Sequence, residues 1–204
     1  MSYIGRQPTA AALTASDITD GIISNAKLAQ DIMSAETALT TEPASTDELL
    51  LSDAGTLKRI DYSLISNTPA FRAYRNANVT LSNGTNTIIT FDVEAKDTNG
   101  MYDNSNGKFT PTISGSYYLQ AVVKWNLDGG TNYIELRKNG SNTASMYTTN
   151  AVPSGAHVYT ISSIVDADGD DYFEVNVYQG SGGDETLYGG AANTFFQGYK
   201  LIGA

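Results

Sequence analysis

From residue 67 onward the chain is cut at short intervals by dipeptides that favour tight turns, and this punctuation limits the fold more than any other feature. Four Asn-Gly pairs (Asn83-Gly84, Asn99-Gly100, Asn106-Gly107, Asn139-Gly140) and two Asp-Gly pairs (Asp128-Gly129, Asp168-Gly169) occur there. Asn, Asp and Gly tolerate positive φ, so they close two-residue hairpins whose twist matches that of the flanking strands. Between the turns lie apolar or alternating runs at 86–93, 116–125, 132–138, 158–165, 172–178 and 194–202. Phe173, Val175 and Val177 alternate with Tyr172, Glu174, Asn176 and Tyr178, as in a strand with one buried and one wet or paired face. No long stretch carries a helical period. Many short strands with regular turns predict an all-β sandwich, jelly roll or barrel.

The first third of the chain is built differently. Only Tyr3 and Tyr62 are aromatic before residue 67; Trp125, all six Phe and the other eleven Tyr follow it. Large rings supply much of the area a core must bury, so 1–66 is expected to depend on other chains and 67–204 to be a domain. Charge does not mark the border: four cations against nine acids on one side and eight against thirteen on the other leave −5 on each. Within 17–34 the chain matches itself with a shift of ten, Ile18 over Leu28, Ile22 over Ile32 and Ile23 over Met33. Two copies of a small repeat and one capped helix with an i, i+4 stripe both account for this. Either leaves Ile18, Ile22, Leu28 and Ile32 in need of cover by a partner, such as the same segment of a neighbouring chain. Further on, Leu49-Leu50-Leu51 and Leu57-Lys58-Arg59-Ile60 flank Asp53-Ala54-Gly55. That pattern predicts a hairpin with Gly55 at positive φ, and a lone hairpin is marginal in water.

Composition excludes several functions. The chain has 204 residues, no Cys, one His and a formal charge of −10. Disulfides, thiolate metal sites and multi-histidine metal sites are therefore excluded. Basic residues are not clustered as a phosphate footprint requires, so neither nucleic acid nor an anionic membrane surface is an expected partner. No apolar run is long enough for a membrane span, and the amino terminus lacks the apolar stretch of a secretory signal.

Several motifs in one order resemble the globular head of the first complement component and its tumour necrosis factor relatives. They are Ile89-Thr90-Phe91-Asp92, the run 102–111 from Tyr102 to Pro111, Ser114-Gly115-Ser116-Tyr117-Tyr118-Leu119, the run 168–175, and Phe196-Gln197-Gly198-Tyr199-Lys200-Leu201-Ile202. The resemblance implies a ten-stranded jelly roll, a tight homotrimer around a threefold axis, and recognition through exposed loops without chemistry. In such a trimer Ile18, Ile22, Leu28 and Ile32 are the expected residues that align the three chains. High aromatic content beside low charge agrees with a subunit that buries more than its own core.

The leading segment resembles short bacteriophage fibre and virion proteins at Tyr3-Ile4-Gly5-Arg6-Gln7-Pro8, at the run 20–32 and at the leucine hairpin. That resemblance implies docking of Tyr3, Ile4, Gly5, Arg6 and Pro8 on a portal, tail or capsid protein. The expected whole is a trimeric jelly-roll sandwich preceded by an extended anchor with a short hairpin, carried on a virion assembled in the host cytoplasm. Its function would be a tail fibre whose head contacts a host cell-surface glycan or protein. The alternative is a decoration protein without receptor binding.

Chemistry-bearing residues fit this reading. Asp166, Asp168, Asp170 and Asp171 crowd six positions, but the spacing lacks the Gly and Glu of a helix-loop-helix calcium loop. A solvated acidic turn is expected, with Asp166, Asp168 and Asp170 the oxygens that calcium would use and no other cofactor in view. His157 lies in a strand run, and no Gly-x-Ser-x-Gly elbow accompanies it. No enzyme is expected. Loops carry recognition more often than strands, so Tyr147 and Pro153 in 142–155, and Asp184, Glu185 and Tyr188 in the Gly-rich run 179–188, are the receptor-loop candidates.

Overall fold

The computed structural model describes residues 14, 16, 37–41, 43, 44, 46–66, 69–149 and 154–202. Tyr3, Ile4, Gly5, Arg6, Pro8, Ile18, Ile22, Leu28, Ile32 and Pro153 lie outside the described residues. The chain divides into two units, Met1–Pro43 and Ala44–Ala204. The second contains both the leucine hairpin and the aromatic-rich region from residue 67. Aromatic content marks where a core can form, whereas the hairpin is held by its own ladder.

That hairpin joins β1 (Glu48–Asp53) to β2 (Thr56–Asp61) through Ala54 and Gly55, at φ 49° and 85°. Glu48 pairs with Arg59 at 2.7 Å and Asp53 with Lys58. Leu50 and Leu57 on one face are 77% and 69% exposed, and Leu49 and Leu51 are about half exposed on the other. A 3-10 turn at Tyr62–Leu64 follows.

The remaining strands form two antiparallel sheets packed face to face. They are β3 (Ala70–Tyr74), β4 (Val79–Leu81), β5 (Thr85–Ile88), β6 (Val93–Asp97), β7 (Tyr102–Asp103), β8 (Lys108–Phe109), β9 (Gly115–Leu127), β10 (Thr131–Lys138), β11 (Ser141–Thr149), β12 (Gly155–Ala167), β13 (Phe173–Gly180), β14 (Glu185–Leu187) and β15 (Phe195–Lys200). The six-stranded sheet runs β11-β10-β13-β8-β7, with β5 also beside β13. In the seven-stranded sheet β12 lines one edge of β9, while β15 and then β14 line the other; β3 and β6 continue beyond β15, and β4 beyond β14. This is the expected all-β jelly-roll sandwich. The strands exceed ten because short pieces such as β4, β7, β8 and β14 pair separately.

Strand β9 shows how the sequence builds the core. Tyr117, Leu119, Ala121, Val123, Trp125 and Leu127 are fully buried at alternate positions, with Tyr118, Gln120, Lys124 and Asn126 half-buried between them. Across the sandwich lie Ile134, Leu136, Phe173, Val175 and Val177. Full burial of each large apolar side chain contributes about 1.5–3 kcal/mol. At one end, Phe71 stacks on Phe109 at 4.1 Å and on Tyr102 at 5.4 Å, and meets Phe196 edge-on at 4.9 Å.

Four differences from the sequence reading have physical causes. The run 86–93 is two strands, because residues 89–92 cross from one sheet to the other. Ile89 and Phe91 are buried there, and the Tyr102 phenol both accepts the Phe91 N–H and donates to the Phe91 carbonyl. Residues 142–149 of the expected recognition loop lie in edge strand β11, whose many polar residues suit solvent. Within the Gly-rich run, Glu185–Leu187 is strand β14, recruited by β4 and by Trp125 of β9. On β13 the polar positions Glu174 and Asn176 are buried as well as the apolar ones; this strand is flanked on both sides, and Asn176 is hydrogen-bonded to Asn86 and Glu135 of its neighbours. Of the turns, Asn139-Gly140 places both residues at positive φ, 52° and 76°, in a two-residue connection between β10 and β11.

Gly198 sits on β15 opposite Phe71 of β3 and Leu119 of β9. A Cβ there would crowd the Leu119 side chain, lie 2.7 Å from the Tyr118 carbonyl oxygen and 3.1 Å from the Phe71 ring. We expect Gly198→Ala to destabilise the fold by about 1–3 kcal/mol through overpacking. Gly183→Ala, in open space, should stay within about 0.5 kcal/mol of wild type. Thermal unfolding of the two variants checks both.

Candidate interaction surfaces

The two sheets turn unlike outer faces to solvent. On the seven-stranded sheet, register places residues in rows. Ile164, Tyr118, Tyr199 and Ala70 form one row; Ser162, Gln120, Gln197 and Arg72 the next; Thr160, Val122, Phe195 and Tyr74 a third. The middle row is a hydrogen-bonded chain in which Arg72 Nη1 donates to Gln197 Oε1 at 2.9 Å and Gln197 Nε2 donates to Gln120 Oε1 at 2.8 Å. The Arg72 guanidinium lies 4.3 Å over the Phe195 ring. The flanking rows are apolar or aromatic apart from exposed Thr160, and the ring centroids of Tyr118 and Tyr199 lie 5.5 Å apart. On β12, Val158 and Ile164 are 58% and 64% exposed. An open hollow of about 300 Å³ lies between Arg72, Lys96, Tyr118, Gln197 and Tyr199. Scattered exposed apolar residues are ordinary, but rows of them on one flat face suit contact with protein.

The outer face of the six-stranded sheet is organised around tyrosine. Tyr147 of β11, Tyr133 of β10 and Tyr178 of β13 share one register level, with ring centroids 4.7 and 4.8 Å apart. Burial among these rings pushes the Tyr133 phenol above its ordinary pKa. Two residues along, Glu135 accepts from Arg137 at 2.7 Å, from Asn142 at 3.2 Å and from Asn176 at 2.9 Å. Asn176 also donates to Asn86 Oδ1, which accepts the Tyr133 hydroxyl. Polar groups on this face mostly satisfy one another.

The acidic turn is a third cluster. Carboxylate oxygens of Asp168, Asp170 and Asp171 lie within 4.8 Å of one another, so the grouped trio includes Asp171 and not Asp166. Asp166 instead accepts from Ser116 at 2.6 Å. Asp171 is engaged by Lys138 Nζ at 2.7 Å, Asn139 Nδ2 at 2.7 Å and the Asp168 N–H at 3.1 Å. The sharing of hydrogen bonds with Asp170 and Asp171 pushes Asp168 up, whereas the Lys138 ammonium holds Asp171 down at about 2. These contacts staple the Asn139-Gly140 turn to the start of β13.

The other predicted residues are dispersed. Tyr147 is on a strand, more than half exposed. Asp184 accepts the Asn83 N–H, Glu185 opens β14 and accepts from Asn126, and half-buried Tyr188 donates its N–H to the Lys124 carbonyl. His157 lies in β12 opposite Trp125. Sequence reading missed Tyr133, Tyr178, Tyr118, Tyr199 and the Arg72–Gln197–Gln120 chain. The alternation of β10 and β13 was legible, but which tyrosines share a level is set by register.

Two layered antiparallel sheets of this connectivity define a jelly-roll domain. A model of the C1q domain matches residues 70–201, and the chain belongs to that family. Among solved structures, the globular domain of zebrafish complement 1qA protein superposes with a TM-score of 0.52 at 18% identity, covering 65% of this chain and 96% of that one. Murine APRIL gives 0.52 at 12% identity, covering 65% and 98%, and Eiger TNF from S. frugiperda gives 0.50 at 11%, covering 66% and 93%. No curated protein sequence matches the chain.

The lowered Asp171 pKa carries a sign. The unfolded carboxyl titrates near about 3.9, so the staple contributes its full stability above that value and loses it as pH falls through about 2. A carbon-13 titration of Asp171 is expected to show a midpoint near about 2 in wild type, rising toward the ordinary value in Lys138→Met.

Proposed function

We propose that this chain is a non-enzymatic homotrimeric attachment protein of a bacteriophage particle, a tail fibre whose jelly roll is the distal head. The carrying observation is the outer face of the seven-stranded sheet. Its apolar and aromatic side chains flank a line in which Arg72, Gln197 and Gln120 already hydrogen-bond one another, so covering that face gains hydrophobic free energy and leaves those bonds intact. Homologues of the C1q and TNF type are homotrimers, which supports three copies as the solution. The leucine hairpin supports it too, since Leu49, Leu50, Leu51 and Leu57 are left exposed on both faces by the described residues.

The remaining surface then faces outward in triplicate. Three weak contacts on one rigid body gain strength by effective concentration against a repeated surface ligand. The virion setting rests on the resemblance of residues 3–8, 20–32 and the hairpin to phage fibre segments. Tyr3, Ile4 and Arg6 would dock on a portal, tail or capsid protein of the same particle.

Sedimentation of the full chain should give three times the subunit mass. Val158→Asp with Ile164→Asp, on exposed positions of β12, should shift it toward the single subunit while near-ultraviolet dichroism is kept. A wild-type protein sedimenting as one subunit overturns the trimer. Gold labelling of particles that carry the chain should mark the tail tip; label at every capsid lattice position would overturn the fibre assignment in favour of decoration.

A further inference from the structure

We infer that the outer face of the six-stranded sheet is a binding site for a neutral saccharide, centred on Tyr147 and backed by Tyr133, Tyr178, Asn176 and Glu135. The inference deepens the attachment reading and rests on it, because that reading consumes the opposite sheet's face in assembly and leaves this one exposed.

Three observations converge. First, the tyrosines form a row across three strands, and Tyr147 at its open end is 54% exposed. A ring held on a strand by a neighbouring ring loses little further entropy on contact, and its face accepts the C–H side of a pyranose while its hydroxyl stays available. Second, a polar network runs alongside the row, from Tyr133 through Asn86, Asn176 and Glu135 to Arg137 and Asn142. Amides and a carboxylate held in a fixed arrangement are the groups that recognise sugar hydroxyls. Third, the Asn176 side chain is fully buried within this network and its Oδ1 has no hydrogen-bond donor. Its amide hydrogens are committed to Asn86 and Glu135, so the oxygen cannot be relieved by turning the amide over without breaking both bonds. A buried acceptor left unmade costs about 1–3 kcal/mol. A hydroxyl, delivered directly or through one water, removes that cost.

Charge selects among saccharides. Glu135 and Arg137 neutralise each other at 2.7 Å, and the chain as a whole carries −10. A sialylated or phosphorylated polymer would meet repulsion with no cation free in the network to offset it. A neutral hexose oligomer meets none. Nucleic acid bases stack on tyrosine too, but a phosphate backbone is disfavoured on the same ground.

The test uses the full chain and neutral hexose oligomers: maltohexaose, cellohexaose, mannohexaose and a galactotetraose, with sialyllactose as the charged comparison. Saturation-transfer NMR is expected to show binding of at least one neutral oligomer with a Kd of roughly 1–10 mM per site. Tyrosine-labelled protein should shift at Tyr147, Tyr133 and Tyr178 and not at Tyr188. Tyr147→Thr, a strand-forming substitution at an exposed edge position, should weaken binding about tenfold with sedimentation unchanged. No saturation transfer from any neutral oligomer at roughly 10 mM overturns the site. So does binding that Tyr147→Thr leaves intact, or shifts confined to other tyrosines. Should Tyr147→Thr fail to assemble, the wild-type shift map alone decides. Competition of the purified trimer with particle adsorption separates the two levels. A trimer that blocks adsorption yet binds no oligomer overturns the saccharide site and leaves attachment standing; one that does neither removes both.

Discussion

Phe71 is the residue on which the sandwich turns. Its ring lies between the sheets in contact with Tyr102, Phe109 and Phe196, so it joins the short paired strands β7 and β8 to β15 in one pile. The pile exists because Gly198 contributes no side chain where β15 passes between Phe71 and Leu119. Close packing makes this constraint sharp: a core at crystal-like density has no slack for one more methyl group. Tyr102 adds a directional element, since its phenol makes two hydrogen bonds to the Phe91 backbone where the chain leaves one sheet for the other. Burial raises that phenol's pKa strongly, so it remains a protonated donor at any ordinary pH.

With the interior so arranged, function is left to the two outer faces, and they solve different problems. One is apolar around a line of internally matched glutamine and arginine groups, which lowers the cost of covering it with another protein. The other holds its tyrosines in a rank over a buried amide with an acceptor to spare. A trimer that used the first face would display the second three times. The acidic turn between β12 and β13 belongs to neither face: Lys138 and Asn139 already occupy Asp171, which makes the turn a brace for the β10–β11 hairpin.

Much of the architecture is legible in the sequence. Alternation on β13, the strand-like runs and the Asn-Gly turns point to the β class, and the ordered motifs from Ile89 to Ile202 point to the family. The errors fell where local pattern is weakest. Residues 142–149 look like a loop because an edge strand tolerates polar groups on both sides, and 185–187 look like one because three residues pair only when β4 and Trp125 are brought beside them. Asp166 was grouped with Asp168 and Asp170 by spacing along the chain, yet Ser116 draws it away on the neighbouring strand. Of the saccharide site, Tyr147 alone stood out, as an exposed tyrosine in a supposed loop.

Sequence alone determined the strands' inward faces, the turns that need positive φ, the absence of cysteine chemistry and the acidic balance, because each depends on a residue's own covalent nature or on its near neighbours in the chain. Register and sheet order were decided only in the tertiary structure. Whether Tyr133 meets Tyr147 and Tyr178, or Asn176 meets Glu135, depends on pairings between residues tens of positions apart. A slip of one residue would send each of those side chains to the other face, and no local propensity records which alignment the packed core selects.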